Sequence, residues 1–310
     1  MTREVSNHPI LKVGQFPGQG SQSLGMGRAL RETFPEAQEV YEIASESTGI
    51  DVVALCERTS EDYLAQTQNA QLAIVTVSVA AWRVWDERVR ESERDTVAFC
   101  GHSIGALSAA IACGALTIAE GTRLARSRGL LMSQAPGRGS MLAVAVGSVQ
   151  NRRDTLRIAE ECGLDVAAYN GDRQLVLSGR VEGVAVAHER LGARSRPLRV
   201  SHGFHSRLMD PILPGWSQLL NEVTFKPGRS GYLGSASGQL AGSPEQVRED
   251  LRGGLRSPVR WDRVLKRTAK SPQWAVFGPG RALVGLGRRG VPGVAPITID
   301  DAYARNARKS

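Results

Sequence analysis

The stretch TVAFCGHSIGALSAAIAC, residues 96–113, decides the fold of this chain. Its first five residues are β-branched or apolar, as in a buried strand, and its last eight favour a tightly packed helix. Between them lies G-x-S-x-G, whose glycines allow the chain to turn sharply. A strand, a tight turn and a helix in this order form a nucleophile elbow, which presents its serine near the positive end of a helix. The pattern predicts that Ser103 is a nucleophile.

A serine held in this way needs a base, and the chain has five histidines. His8 lies in the polar N-terminal stretch, His188 lies in a polar helical segment, and the side chain of His102 is expected on the other side of the turn. His202 and His205 remain, and at most one of them is expected to be the base. Four aspartates are formally available to orient it: Asp154, Asp165, Asp172 and Asp210.

The composition indicates a globular protein with an anion-attracting surface. The 310 residues, 41% hydrophobic and 23% charged, allow about two domains at roughly 150 residues each. The 39 basic and 31 acidic residues leave a net charge of +8, which favours acidic proteins or phosphate-bearing molecules as partners. Because the basic residues are scattered and aromatic residues are few, no nucleic-acid partner is expected.

The remaining composition predicts no metal site and no membrane span. The four cysteines lack the spacings of metal or redox motifs and are expected as core residues in a reducing cytoplasm. The longest apolar-rich run has 11 residues, too few to cross a bilayer. The N-terminus carries charges where a signal peptide would be apolar. We expect a cytoplasmic protein.

The order of patterns along the chain predicts an α/β fold with two parts. Residues 11–16 indicate a strand that leads into a glycine-rich turn, and the elbow adds a second strand and helix. From about residue 138 to residue 206, short strands and two helices follow an order close to the β-α-β-β-α-β of a ferredoxin-like unit. The predicted parts are a hydrolase-like large domain with a parallel sheet at 1–137 and 207–300, an inserted ferredoxin-like small subdomain at 138–206, and a frayed tail at 301–310.

Five motifs occur in a family-specific order: FPGQGSQSLGMG at 16–27, GHSIGALSAA at 101–110, SRGLLM at 127–132, SHGFHSRLMD at 201–210 and FGPGRAL at 277–283. Together they resemble the motifs of malonyl-CoA:acyl carrier protein transacylases and of the acyltransferase domains of polyketide synthases. The resemblance runs from about residue 12 to about residue 290. It implies the same hydrolase-like fold with an inserted ferredoxin-like subdomain.

The resemblance also implies catalytic roles. Ser103 would be the nucleophile, and His205 would be the general base and later the acid, with His202 as a neighbour that shapes the pocket. The backbone N–H groups of Gln19 and Ile104 would form the oxyanion hole, in which one donor typically contributes about 10² to 10³ in rate.

Further roles follow from the same resemblance. The carbonyl of Gly254, where the family commonly has Gln, would orient the catalytic histidine. Arg128 would pair in bidentate fashion with the free carboxylate of a malonyl-type acyl group, a geometry that suits a guanidinium. The implied pocket residues are Gln71, His102, Met132, Asn170, His202 and Phe204.

The resemblance implies acyl transfer in two half-reactions, from an acyl-CoA to the phosphopantetheine thiol of an acyl carrier protein through an acyl-serine. No permanently bound cofactor, a monomer and a free-standing, trans-acting enzyme of fatty acid or polyketide biosynthesis are expected. Arg128 and the HGFH element favour malonyl. Ala106 stands where many malonyl enzymes have Glu, which leaves another extender unit open.

Three alternatives differ in what the protein does with its acyl group. A thioesterase that edits carrier-bound acyl groups and a carrier-to-carrier acyltransferase would both use the same fold. A non-catalytic carrier-docking module would predict a disrupted serine or histidine, and both residues are intact.

Overall fold

The computed structural model of this protein describes residues 12–87, 97–291 and 297–298. The predicted tail at 301–310 lies outside the described residues, as does the first residue of the strand predicted at 11–16. The strands are β1 (Lys12–Phe16), β2 (Val97–Gly101), β3 (Gly139–Ala145), β4 (Asp165–Tyr169), β5 (Gln174–Arg180), β6 (Ser195–Pro197), β7 (Gly231–Leu233), β8 (Gln273–Val276) and β9 (Ile297–Thr298).

Helices cover much of the remaining described chain. They are α1 (Arg28–Thr33), α2 (Pro35–Thr48), α3 (Val52–Glu57), α4 (Glu61–Ala65), α5 (Thr67–Asp86), α6 (Gly105–Ala112), α7 (Ile118–Ser133), α8 (Val149–Glu161), α9 (Val181–Leu191), α10 (Leu213–Asn221), α11 (Pro244–Gly253), α12 (Trp261–Thr268) and α13 (Ala282–Gly290). Two 3₁₀ segments lie at Gly192–Arg194 and Arg207–Ile212.

The large sheet is parallel, in the order β7-β2-β1-β8-β9. β2 is buried along its whole length, as expected for a central strand covered on both faces. β1 and β2 are neighbours in register, with Phe16 opposite Gly101. Because the carboxyl ends of parallel strands lie at the same sheet edge, the loops after β1 and β2 meet there.

The small sheet is antiparallel, in the order β4-β5-β3-β6, and α8 and α9 complete the β-α-β-β-α-β sequence. β3 shows the period of two that a strand between two layers requires. Leu142 and Val144 pack into the small core with α8 and α9, whereas Met141 joins the large core. The predicted α/β fold class is confirmed, including the ferredoxin-like order of elements. The domain boundaries at 138 and 206 stay a prediction.

Helix α5 is the central helix of the large core. All but three of its 20 residues are buried, and it packs against α2 and α7. In the part of the chain that the structure describes, no helix is both long and apolar enough to span a membrane.

Candidate active site

The elbow after β2 has the backbone geometry that its glycines predict. Ser103 has a φ of 53°, a left-handed conformation that is uncommon for a residue with a side chain and often marks a functional site. A Cβ on Gly101 would lie 1.9 Å from the carbonyl carbon of Gly105, and a Cβ on Gly105 would lie 2.3 Å from the carbonyl oxygen of Phe16. Both glycines are therefore required for the chain to fold back against β1.

Ser103 and His205 form a hydrogen-bonded pair. The Oγ of Ser103 lies 2.7 Å from Nε2 of His205, although 102 residues separate them in the sequence. His205 also has a left-handed φ, of 55°. Among the described residues, Ser103 and His205 are the two non-glycine residues with positive φ, so the surrounding structure holds both in strained conformations.

A backbone carbonyl orients His205, but it belongs to Ser257. The Nδ1 of His205 lies 3.1 Å from the carbonyl oxygen of Ser257. The predicted residue, Gly254, was wrong: it ends helix α11, where its N–H donates to the carbonyl of Asp250 at 2.8 Å. A turn follows the helix, in which the N–H of Ser257 donates to the carbonyl of Gly253 at 2.8 Å, and Val259 then pairs with β4.

This carbonyl fixes the tautomer of the imidazole. Since a carbonyl oxygen only accepts hydrogen bonds, Nδ1 of His205 carries the proton and donates it to Ser257. Nε2 is then the unprotonated nitrogen and accepts the hydroxyl proton of Ser103. None of the four aspartates considered in the sequence is needed for this role.

The pKa of His205 is lowered to about 3, first by burial and then by the positive charge of Arg128. The imidazole is therefore neutral at physiological pH, as a general base must be before it accepts a proton. Arg128 and His205 are electrostatically coupled, so a change at one alters the proton affinity of the other.

The glycine-rich loop after β1 lies against the elbow. A Cβ on Gly18 would lie 2.8 Å from the carbonyl oxygen of His102, and the N–H of His102 donates to Phe16 at 2.9 Å. Within the described residues, the backbone N–H groups of Gln19 and Ile104 have no hydrogen-bond acceptor. Two free donors next to the strained serine are what an oxyanion hole requires.

Arg128 is buried, with 4% of its surface exposed, on helix α7. The helix begins with a capping box between Thr117 and Glu120. A Cβ on Gly129 would lie 2.5 Å from Cα of Gln68, so this glycine allows α7 to approach α5 closely. The close approach places Nη1 of Arg128 2.8 Å from Oε1 of Gln71.

A chain of polar side chains connects Arg128 with the loop after β1. Gln71 donates to Oγ1 of Thr67 at 3.1 Å and contacts Sδ of Met132 at 3.2 Å. Thr67 in turn donates to Oε1 of Gln19 at 2.8 Å. Four of these five residues are predicted from the sequence, and Thr67, at the start of α5, lies outside the five motifs.

Arg128 is a buried cation without a carboxylate partner among the described residues. Burial lowers the pKa of its guanidinium to about 10, so it keeps its charge at neutral pH. Burying a charge without a counter-ion destabilises the folded state. The arrangement is suited to a ligand that brings a carboxylate.

The side chain of His102 is held by Asn170 and Trp261. Its Nε2 lies 2.9 Å from Oδ1 of Asn170, and its ring packs 5.6 Å from that of Trp261. Asn170 is fixed in turn by a 3.0 Å hydrogen bond from its Nδ2 to Oε1 of Gln174. Burial lowers the pKa of His102, while the hydrogen bond to Asn170 raises it in part.

Both ring nitrogens of His202 bind the backbone. Nδ1 accepts the N–H of Gly203 at 2.8 Å, and Nε2 lies 3.1 Å from the carbonyl oxygen of Gly137. The proton is therefore on Nε2, which leaves His202 without a free nitrogen for proton transfer. Phe204 is buried beside it, with the two ring centroids 6.3 Å apart.

A pocket opens between Ser103 and Arg128. Three of its lining residues, Ser103, Arg128 and Gly254, are among the predicted site residues, whereas none of the six predicted pocket residues lines it. The others are Ala106, Leu107, Trp216, Ser235, Asp250 and Leu251. Asp250 accepts hydrogen bonds from the hydroxyl of Tyr232 at 2.9 Å and from three successive backbone N–H groups at 2.9 to 3.3 Å. Trp216 and Asp250 come from helices α10 and α11, which carry no motif that could have identified them.

Comparison with known proteins agrees with this geometry. The family described as acyl transferase domain matches residues 15–277. A malonyl CoA-acyl carrier protein transacylase of Bacillus subtilis is 34% identical over 280 residues, which are 87% of this chain and 69% of that protein.

Solved structures give the same result. An acyl-carrier-protein S-malonyltransferase from Bartonella henselae aligns with a TM-score of 0.88 at 29% identity, over 96% of this chain and 98% of that one. A malonyl-transacylase solved in complex with its type II polyketide synthase acyl carrier protein aligns with a TM-score of 0.84 at 29% identity, over 93% and 95% of the two chains. This chain belongs to the acyl transferase domain family.

Proposed function

We propose that this protein transfers a malonyl-type acyl group from CoA to the phosphopantetheine thiol of an acyl carrier protein, through an acyl-enzyme on Ser103. One observation carries the proposal. The pocket beside the Ser103–His205 pair, whose Oγ and Nε2 lie 2.7 Å apart, is also lined by the buried guanidinium of Arg128. A nucleophile and a carboxylate-binding cation in one pocket favour a dicarboxylic acyl chain.

In the first half-reaction, Ser103 Oγ attacks the thioester carbonyl while Nε2 of His205 takes its proton. The tetrahedral intermediate then collapses, the C–S bond breaks, and the imidazolium returns the proton to the CoA thiolate. In the second, His205 takes the proton of the carrier thiol, whose sulfur attacks the acyl-serine. The C–O bond breaks, and the proton returns to Ser103.

The N–H groups of Gln19 and Ile104 would stabilise the oxyanion in both half-reactions. Their lack of an acceptor among the described residues supports this role.

The carboxylate end of the acyl group would bind Arg128. Gln71 holds one edge of the guanidinium through Nη1, which limits its rotation. Ala106, at the wall of the same pocket, is smaller than the Glu of many malonyl enzymes. The space beside Ala106 would accommodate a substituent on the central carbon of the malonyl group.

The carrier protein is the proposed acceptor. Several relatives are named malonyl CoA-acyl carrier protein transacylase, and one solved relative is in complex with its acyl carrier protein. The net charge of +8 suits an acidic partner. The monomeric state and the cytoplasmic location stay predictions from the sequence.

Intact-protein mass spectrometry tests the proposal. The enzyme and Ser103→Ala are mixed with malonyl-, methylmalonyl- and acetyl-CoA, and a holo carrier protein is then added. A malonyl adduct that forms on the parent enzyme, is absent from Ser103→Ala and moves to the carrier is expected. An adduct that decays to free malonate at the same rate with and without carrier would instead show a hydrolase, and an adduct on Ser103→Ala would remove the serine from the mechanism.

A further inference from the structure

Two arginines meet on one tyrosine ring, where β4 of the small sheet pairs with the segment that precedes α12. The guanidinium carbon of Arg260 lies 4.6 Å from the ring centroid of Tyr169, and that of Arg152 lies 5.3 Å from it. Arg152 belongs to α8 of the ferredoxin-like unit, whereas Arg260 directly precedes α12 of the large part. All three side chains are partly exposed.

The charges at this cluster do not balance. Arg260 forms two hydrogen bonds with the carboxylate of Asp262, at 2.9 and 2.8 Å. Arg152 also lies close enough to lower the pKa of Asp262, but it forms no ion pair with a described carboxylate. One carboxylate therefore faces two guanidinium groups. An arginine stacked on an aromatic face keeps its in-plane N–H donors free, and this edge matches the oxygens of a phosphate.

Short contacts connect the cluster to the catalytic residues. Tyr169 precedes Asn170, whose Oδ1 lies 2.9 Å from Nε2 of His102, the neighbour of the nucleophile. The N–H of Tyr169 also donates to the carbonyl of Val259 at 2.9 Å, within the same segment that supplies the Ser257 carbonyl to His205.

The path from the nucleophile to the cluster is of the same order in length as a pantetheine arm. Such an arm separates its sulfur from its phosphate by about the length of four to five extended residues, roughly 13–18 Å. From Ser103 to the Tyr169 ring, the path runs through one histidine side chain, one hydrogen bond and one asparagine. The links of this path set an upper limit of about 22 Å between Ser103 and the Tyr169 ring, a distance of the same order as the extended arm.

We propose that Arg152, stacked on Tyr169 beside Arg260, binds the phosphate at the far end of the pantetheine arm while the sulfur lies at Ser103. The proposal rests on the proposed function, because it assumes a pantetheine thioester at the serine. The phosphate can come from CoA or from the phosphopantetheine of the carrier protein. Both share the pantetheine 4′-phosphate, so the test separates them.

The donor test compares two malonyl thioesters. Malonyl-CoA carries the phosphate, whereas the malonyl thioester of N-acetylcysteamine lacks it. We expect Arg152→Gln to raise KM for malonyl-CoA about tenfold and to leave KM for the short thioester unchanged, since only the charge-assisted contact with phosphate is lost. Arg153→Gln is the matched control, because it removes the same charge one residue further along α8 from an exposed position.

The acceptor test uses the malonyl-enzyme. Its transfer to pantetheine, to 4′-phosphopantetheine and to holo carrier is measured for both variants. A slower transfer by Arg152→Gln to both phosphate-bearing acceptors, but not to pantetheine, would assign the site to the shared arm. If Arg152→Gln raised KM for malonyl-CoA but left transfer to all three acceptors unchanged, the phosphate site would belong to CoA alone.

Two results would overturn the proposal. If Arg152→Gln raised KM equally for the long and the short thioester, the cluster would only hold the two parts of the protein together. If Arg152→Gln changed KM for neither thioester, Arg152 would not bind the phosphate. Should no thioester acylate the enzyme, the proposed function fails, and calorimetry with CoA and pantetheine still decides: a binding site for phosphate predicts that Arg152→Gln weakens CoA alone.

Discussion

The Nδ1–H of His205 donates to the backbone carbonyl oxygen of Ser257, at 3.1 Å. A carbonyl in this position fixes the tautomer without adding a full negative charge beside the imidazole. Burial and Arg128 therefore lower the pKa of His205 without an opposing carboxylate. Because the acceptor is a main-chain atom, its function does not depend on the side chain at position 257.

Ser257→Ala is expected to keep acylation within about twofold of the parent rate, since the carbonyl is retained. His205→Gln removes the base and is expected to lower the rate by about 10² to 10⁴. Stopped-flow release of CoA from malonyl-CoA measures both. A large loss in Ser257→Ala would mean that the side chain, and not the carbonyl, acts on the histidine.

We expect substitution of His202 to lower mainly the stability of the fold, and substitution of His205 to lower mainly the rate of acylation. His202→Gln breaks hydrogen bonds to Gly137 and Gly203 and should lower the free energy of unfolding by about 1–3 kcal/mol. Acylation, measured on the folded variant at low temperature, should fall far less than in His205→Gln. The reverse order would make His202 the base.

Gly101→Ala should prevent the elbow from forming, because its Cβ would lie 1.9 Å from the Gly105 carbonyl carbon. A loss of more than about 3 kcal/mol in the free energy of unfolding is expected from urea denaturation. Gly147→Ala is the control, as nothing lies within 4 Å of its Cβ position. That variant should stay within about 1 kcal/mol of the parent, and equal losses in both would contradict the packing argument.

Arg128→Met should make the protein more stable and less selective. Replacing a buried cation that has no described counter-ion by an apolar side chain of similar length is expected to add about 1–3 kcal/mol to the free energy of unfolding. Competition between malonyl-CoA and acetyl-CoA should show the loss of the malonyl preference. A stable variant that still prefers malonyl would exclude Arg128 as the carboxylate ligand.

The pH dependence of acylation should report the coupling between Arg128 and His205. With the pKa of His205 near 3, the base is neutral from pH 8 down to about pH 5, so kcat/KM for an uncharged acetyl thioester should be constant there. Arg128→Gln removes a positive charge that opposes protonation, so the pKa of His205 rises and the acidic limb moves to higher pH. Circular dichroism at each pH shows whether the fold persists. Acidic limbs that coincide in the parent enzyme and Arg128→Gln would disprove the coupling.

Local sequence was sufficient to predict the parts of the site whose geometry depends on the backbone alone. Gly101 and Gly105 predict the elbow, because only glycine allows the chain to approach itself so closely. The alternation in β3 and the fully buried pattern of β2 likewise follow from strand geometry. The resemblance then selected His205 over His202, which local pattern alone left open.

Contacts between distant segments were not predictable in the same way. Thr67, Trp216 and Asp250 reach the site from α5, α10 and α11, and none of the three residues lies in one of the five motifs. The carbonyl that orients His205 belongs to Ser257, three residues after the predicted Gly254. The turn between α11 and the pairing of Val259 with β4 carries no local signal that fixes its length.

Neighbouring residues and their steric limits were enough to predict the strand-turn-helix around Ser103 and the order of elements, and to propose Ser103 as the nucleophile. Tertiary structure alone decided which carbonyl orients His205, which side chains surround Arg128 and which two arginines meet on Tyr169. The reason is physical. Each of these contacts joins segments 17 or more residues apart in the sequence, and the distance between those segments is set by how helices and sheets pack, not by any local preference of the chain.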